Sequence, residues 1–338
     1  MPELTMQITN HPVLSVILPC HNEADNLDLL FSRLEAVFDR MALPYELIAV
    51  DDGSTDDTYA RLVAHHNRNP RIVTIRLARN FGKENTVSCG LAHARGKAAI
   101  IMDSDLQHPP EVIPELYTKW QEGAQMVYAL RRNRDTDGVA RRQFSHLYYW
   151  LFDKIGDIKL PEGAGDFRLL DRRVVDAVNA LPERSRFMKG LMSWVGFTTA
   201  SVEFDVAPRH KGQSSWSPIG LVRFAFDGLL SFSSIPLRMW TAIGVAVSVF
   251  AFLYMIVLLI QTSIFGVDVP GFATIMVSVL MLGGIQLIGL GVVAEYIARI
   301  FVEVKQRPLY FIADQRGIDT PMDMTANASD TAQSRRAR

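Results

Sequence analysis

Short uninterrupted apolar runs alternate with longer amphipathic stretches through the first 130 residues of the chain. LSVILP (14–19), ELIAVDD (46–52), IVTIRL (72–77), AAIIMD (98–103) and AQMVYAL (124–130) read as strands. Continuous apolar runs of this kind are expected of strands buried on both faces. Between them, Glu23–Ala42, Thr55–Asn67, Gly82–Gly96 and Pro109–Glu122 carry helical spacing. The alternation predicts an α/β fold, a Rossmann-like and mostly parallel sheet wound by helices on both faces. Ligands in such sheets sit beyond the carboxyl ends of the strands, so the residues after each strand matter most.

The second pattern is different in kind. Met239–Val267 and Val269–Ala294 are 29 and 26 residues without Asp, Glu, Lys or Arg. About 20 helical residues cross the ~30 Å hydrocarbon core of a bilayer, so the spacing predicts two transmembrane helices. Asp268, Pro270 and Gly271 mark the turn between them, in a loop near 262–271. Arg223 and Arg238 precede the first span and Arg299, Lys305 and Arg307 follow the second, whereas the loop carries no Lys or Arg. The positive-inside rule then puts both termini in the cytoplasm. The expected organisation is a catalytic domain over 1–218, interfacial helices over 219–238, spans over 239–300 and a tail over 301–338, disordered after about 315.

Composition narrows the function classes. A formal net charge of −1 over 338 residues offers no basic excess for nucleic acid. Cys20 and Cys89 alone imply no disulfide framework. No basic segment followed by an apolar stretch opens the chain, so no signal peptide is expected.

Every predicted strand is followed by charged or polar residues: PCHNEADN, DDGSTDDT, ARNFGKEN, DSDLQHPP and RRNR. Asp, Asn and Gly are ordinary turn and N-cap residues, but five such clusters at one end of a sheet point to a shared site. Asp103 and Asp105 are the sharpest feature. Two carboxylates ~4 Å apart at an effective dielectric of ~20 repel by about 4 kcal/mol, so a counter-charge is expected. Mg2+ or Mn2+ supplies one, since these ions take carboxylate oxygens together with substrate phosphates. Gln107 adds a neutral oxygen to the expected set. Asp51 and Asp52 lead a Gly53-Ser54 turn and suit the N–H and O–H donors of a nucleotide. Arg79, Lys83, Arg131, Arg209 and Lys211 suit phosphate oxygens. Asp166, after a Gly-rich turn in GAGDFRLL, reads either as a site carboxylate or as a helix N-cap.

LPCHNEADNL, AVDDGSTDDT, RNFGKEN, MDSDLQHPPE, GDFRLLDRRVV, RFMKGLMSWVGF and FDGLLSFSSIPLR occur in that order. Over residues 12–312 the chain resembles the family-2 glycosyltransferases that act on polyprenyl phosphates, especially the bactoprenol glucosyltransferase type. The resemblance implies a GT-A catalytic domain, a nucleotide-sugar donor such as UDP-glucose and inverting transfer to a membrane-embedded lipid phosphate. It assigns Pro19, Glu23 and Asp52 to the nucleotide, Asp103, Asp105 and Gln107 to metal and diphosphate, and Asp166 to the reaction centre. Arg131, Arg209 and Lys211 fall where donor or acceptor phosphate is expected. A homo-oligomer, with a tetramer among the candidates, is also implied. Ser215 stands where the family usually has Lys, which leaves one fewer cation in that loop.

A phosphate monoester has a second pKa of ~6, so the acceptor is largely ionised near neutrality. Positioning and charge stabilisation, rather than proton removal, are the expected tasks. GLVRFAFDGLLSFSSIPLR (220–238) and VARRQFSHLYYWLFDKI (139–155) combine apolar spacing with basic and aromatic residues, as headgroup-level segments do. Other donors (GDP-mannose, a UDP-N-acetylhexosamine, a UDP-amino-pentose) stay open. So does a different class, a non-catalytic membrane scaffold or lipid-translocating subunit.

Overall fold

The computed structural model describes residues 11–132, 164–205, 235–265 and 271–318. The five predicted strands are present as β1 (Leu14–Cys20), β2 (Tyr45–Asp51), β3 (Ile72–Leu77), β4 (Ala98–Ile101) and β5 (Met126–Arg131). The four predicted helices are α1 (Ala24–Met41), α2 (Thr58–Arg68), α3 (Lys83–His93) and α4 (Ile113–Gln121), the last entered through a 3-10 turn, Pro110–Val112. Three further strands were not expected: β6 (Ala164–Asp171), β7 (Thr199–Phe204) and β8 (Ile312–Arg316). With them the sheet has eight strands in the order β7-β5-β6-β4-β1-β2-β3-β8.

The centre is parallel, β1 pairing with β2 and β4, and β2 with β3. The strand β6 runs antiparallel to both β4 and β5, and β8 antiparallel to β3. Alternation along β1 divides the core. Leu14, Val16 and Leu18 face the layer of α1, while Ile17 faces the layer of α3. In α1, Leu27, Leu30, Phe31, Leu34, Val37 and Phe38 recur at helical spacing and are all buried. On the opposite face α3 packs so tightly that a Cβ on Gly90 would come 2.3 Å from Ile17. There α3 is joined by α5 (Arg172–Ala180) and α6 (Met188–Trp194).

Two long helices follow, α7 (Ile235–Phe265) and α8 (Phe272–Lys305). At 1.5 Å per residue each is long enough to cross a bilayer. Large apolar side chains such as Phe250, Leu253, Leu287 and Leu290 stand exposed along them. Met281–Lys305, within α8, is apolar enough for a crossing. Among the described residues it is the one such segment. In α7 the apolar segment Ala242–Tyr254 is shorter. Ile235 to Arg238, expected among the interfacial helices, already belong to α7. The remainder of that expected segment, 219–234, lies outside the described residues, as do 139–155, the turn residues 266–270 and the tail from 319. Gln315 and Arg316 still belong to β8 and pair with β3, and the tail expected to be disordered after about 315 otherwise lies almost wholly outside the described residues.

Candidate active site

The strands β1, β2 and β4 end side by side, and the loops that leave them, with the loop after β3, enclose a cavity of about 970 Å³. Pro19, Glu23, Asp52, Lys83, Asp103 and Asp105 all line it, which brings together six of the residues singled out from sequence. Backbone and side-chain bonds knit the loops. The Asn22 N–H donates to Ser54 Oγ (2.9 Å), the Glu23 N–H to Thr58 Oγ1 (2.8 Å) and Ser104 Oγ to the Pro19 carbonyl (2.9 Å). Gly53 has φ +65°, and a Cβ there would lie 2.5 Å from the Arg79 backbone. Only glycine lets the β2 turn press against the loop after β3.

The two Asp pairs are used differently. Asp51 is fully buried, with Oδ1 accepting the Ser54 N–H (3.1 Å) and Oδ2 3.4 Å from Arg76 Nε. Burial pushes its carboxyl up, against the Ser54 bonds and the Arg76 charge. It stands behind the turn and does not line the cavity, which corrects its expected place at the nucleotide. Asp52 does line the cavity, while its two oxygens accept the N–H groups of Phe81 (2.7 Å) and Gly82 (2.9 Å).

Beyond β4, Asp103 and Asp105 both line the cavity, Asp105 the more deeply buried of the two. Asp105 Oδ1 accepts the Gln107 N–H (3.1 Å), closing a turn in which Leu106 takes φ +65°. That left-handed conformation costs a non-glycine residue about 1–2 kcal/mol, and burial of Leu106 offsets it here. The Asp103 N–H donates to His108 Nδ1 (3.0 Å), so that nitrogen carries no proton and the ring is neutral. His108 is buried against Phe167, and desolvation holds its pKa below the ordinary range despite nearby Asp103.

Lys83 connects the two halves of the site. Its ammonium lies 2.6 Å from Asp103 Oδ1 and 2.6 Å from Asp166 Oδ2. Burial alone would lower the lysine pKa, but the two carboxylate charges outweigh it and raise it. Asp166 sits within β6, so it is not an N-cap. Asp171 caps α5 instead, through the Arg173 N–H (3.0 Å). Burial would raise the Asp166 carboxyl, yet Lys189, 3.4 Å away, and Lys83 hold it well below the usual carboxylate range. A carboxylate so stabilised is a poor proton acceptor near neutrality.

Other expectations fare less well. Arg79 is exposed, with its guanidinium over the Phe81 ring at 4.6 Å, and does not line the cavity. Arg131 is exposed at the end of β5, near enough for its charge to act on His108, and 133–163 lie outside the described residues. Gln107 contributes its backbone N–H, but its side chain is not on the cavity wall. Arg209, Lys211 and Ser215 lie outside the described residues.

No group of three or more His, Cys, Asp and Glu of metal-holding geometry occurs among the described residues. Asp103 and Asp105, the pair expected from sequence to face a cation, both stand on the cavity wall. Two carboxylates fit an Mg2+ or Mn2+ ion whose other positions are taken by water and substrate phosphate.

Residues 15–178 match the model of glycosyl transferase family 2, and residues 235–300 match the GtrB C-terminal hairpin. The chain is 46% identical over 306 residues to an uncharacterised glycosyltransferase of Synechocystis sp., covering 90% of this chain and 96% of that protein. It is 44% identical over 299 residues to the SfII prophage-derived bactoprenol glucosyl transferase of Shigella flexneri, covering 88% and 97%. A prophage bactoprenol glucosyl transferase homolog of Escherichia coli is 42% identical over 299 residues, covering 88% and 98%. This chain belongs to glycosyltransferase family 2.

It is thus a glycosyltransferase, and the non-catalytic scaffold reading is set aside. Its site also holds residues that the sequence reading did not single out. Glu84 lies beside Asp166 and accepts the Met188 N–H (2.9 Å). Desolvation, aided by the Asp166 charge, pushes its carboxyl up to about 7. Lys189 and Arg61 are two more, the first facing Asp166 and the second lining the cavity. Glu84 and Lys189 stand inside quoted motifs, RNFGKEN and RFMKGLMSWVGF, so a charge beside an apolar segment was the available signal.

Proposed function

We propose that this family-2 glycosyltransferase moves glucose from UDP-glucose to the phosphate of a polyprenyl phosphate, with inversion, at the cytoplasmic face of a bacterial inner membrane. The product is a lipid-linked sugar for modification of a cell-envelope glycan. One observation carries the reading: Asp103 and Asp105 face a cavity at the carboxyl ends of parallel strands, beside a Lys83–Asp166 pair. Relatives named bactoprenol glucosyl transferase over nearly their whole length support the sugar and the lipid acceptor. The hairpin match over 235–300 supports two spans, and the Arg and Lys flanks support both termini on the cytoplasmic side.

In this reading Pro19, Glu23 and Asp52 face the nucleoside, and Asp103 and Asp105 face the diphosphate. Asp103 and Asp105 would hold an Mg2+ or Mn2+ ion, which would supply positive charge against the departing diphosphate. Lys83 adds a further positive charge at the same place. The acceptor phosphate is already anionic, so no proton need be removed from it. Asp166, ionised and held by Lys83 and Lys189, orients the acceptor or sugar and offsets positive charge developing at the anomeric carbon. Arg209 and Lys211 belong to the acceptor side of the same reading.

The test is a donor panel: UDP-glucose, GDP-mannose, a UDP-N-acetylhexosamine and a UDP-amino-pentose, each with short-chain polyprenyl phosphate and Mg2+ or Mn2+. Transfer from UDP-glucose above the others, abolished in Asp103→Ala, is the expected result. A different preferred donor corrects the sugar. No transfer from any donor overturns the reading.

A further inference from the structure

The chain leaving α8 makes two separate attachments to the catalytic layer, one on each side of the Lys83–Asp166 pair. The first is Glu303, in the last turn of α8. Its carboxylate accepts the Arg184 N–H (2.8 Å to Oε1, 3.1 Å to Oε2) and the Ser185 N–H (3.0 Å to Oε1). Those residues lead directly into α6. There Glu84 holds the Met188 N–H (2.9 Å) and the Lys189 ammonium lies 3.4 Å from Asp166.

The second attachment begins where Gln306 takes φ 47° and ends the helix. Tyr310 then packs against the core layer that holds Cys89 of α3, and the Ala78 N–H donates to the Phe311 carbonyl (2.8 Å). Ile312 pairs with Leu77 and Arg316 with Thr74, making β8 the edge of the sheet. The Phe311 ring stands 6.4 Å from Phe81, whose N–H is held by Asp52. Two residues after Phe81 comes Lys83. One attachment therefore reaches the site through Lys189 and Asp166, the other through the loop that leads into Lys83 at the start of α3.

A tether between a membrane helix and a soluble domain requires neither a carboxylate clamped on backbone N–H groups nor a sheet strand. β8 is short and largely polar, IADQR, and adds little to the apolar core. What both attachments fix is geometry. An acceptor that is held in a bilayer presents its phosphate at a set height, and a reacting group misplaced by about 1 Å loses up to a hundredfold in rate.

We propose that Glu303–Arg316 is a latch that sets the catalytic cavity against the membrane helix, with Glu303 a positioning residue for a membrane-borne phosphate acceptor. The latch role rests on the reading that the acceptor is a lipid phosphate. It acts on where the acceptor phosphate arrives, and leaves donor binding and the chemical step to the cavity residues.

The full chain, reconstituted in lipid nanodiscs, is assayed with a long-chain polyprenyl phosphate in the bilayer and with a short, water-soluble prenyl phosphate. Charge-assisted bonds to backbone are strong enough that Glu303→Ala is expected to lower kcat/KM for the bilayer acceptor about tenfold, mainly through KM. For the soluble acceptor the change stays within about twofold, because that substrate finds the site by diffusion. Glu303→Gln retains an amide oxygen that accepts both N–H groups and keeps the wild-type ratio between the two acceptors. If Glu303→Ala does not purify folded, Glu303→Asp, with its shorter reach, is judged by the same ratio. Equal losses on both acceptors, or no loss on either, overturn the latch while wild-type transfer stands. Absence of wild-type transfer to either acceptor overturns the lipid-phosphate reading and the latch with it.

Discussion

Two pairs of aspartates stand at the ends of strands separated only by β1, and they are spent in opposite ways. Asp51 and Asp52, after β2, give their oxygens to Ser54, Phe81 and Gly82 N–H groups and to Arg76. They hold the loops in shape, Asp52 while also lining the cavity. Asp103, after β4, is countered by the Lys83 side chain, whereas Asp105, also on the cavity lining, keeps one oxygen on the Gln107 N–H. A carboxylate bonded to backbone N–H groups cannot change partner without moving the chain. One paired with a flexible ammonium can exchange that partner for a cation or a phosphate-bearing ligand. Charge placed at a strand end is thus structural or functional according to what neutralises it.

The largest effect that separates the pairs is expected from Asp103→Ala, with sugar transfer falling on the order of a hundredfold to a thousandfold, as for loss of one electrostatic group at a reacting centre. Thermal unfolding should change little, because the side chain is partly exposed. A fall in stability with activity intact would make this pair structural too. Asp166→Asn comes next, with kcat falling roughly a hundredfold and the pH–rate profile keeping its shape, because the group orients and does not take a proton. Loss of an acidic limb would restore a base role.

Asp52→Ala tests the other side of the contrast. Two backbone N–H groups lose their acceptor, and the loss should cost about 2 kcal/mol of stability, read as a lowered midpoint in chemical unfolding. An unchanged midpoint, with donor binding lost, would leave Asp52 only its place at the nucleoside.

The smallest effect is a pH dependence at Glu84. Its folded pKa, about 7, lies above the ordinary 4.5, so the native state binds more protons between those values. Its contribution to stability is fully present below about 4.5 and is lost as pH rises through about 7. Glu84→Gln cannot ionise and should gain stability over wild type on going from pH 5 to pH 8. Parallel melting curves for the two proteins would contradict this.

The sequence carries its central strands plainly because β1 to β5 are buried, continuous apolar runs, each read to within a few residues at either end. β6, β7 and β8 were hidden for physical reasons. AGDFRLLD and TASVEF bury only part of their residues, and IADQR is a polar edge strand whose place is set by pairing with β3. The Asp103-Ser104-Asp105 group was legible from a strand end and a charge pattern. The distinction between Asp51 and its neighbour was not, since adjacent residues on an extended chain face opposite ways and only the fold decides which way is out. Lys83, Asp103 and Asp166 come from α3, the loop after β4 and β6. Their convergence depends on β6 inserting antiparallel beside β4, which no local spacing encodes.

Divalent-dependent binding of UDP, measured by calorimetry on the full chain in detergent, tests the contrast between the two pairs most directly. The expected result is UDP binding to the wild type that requires Mg2+ or Mn2+ and is lost in Asp103→Ala, while a folded Asp51→Asn variant keeps it. Metal-dependent UDP binding by Asp103→Ala at wild-type affinity would contradict the assignment of this carboxylate to the donor diphosphate.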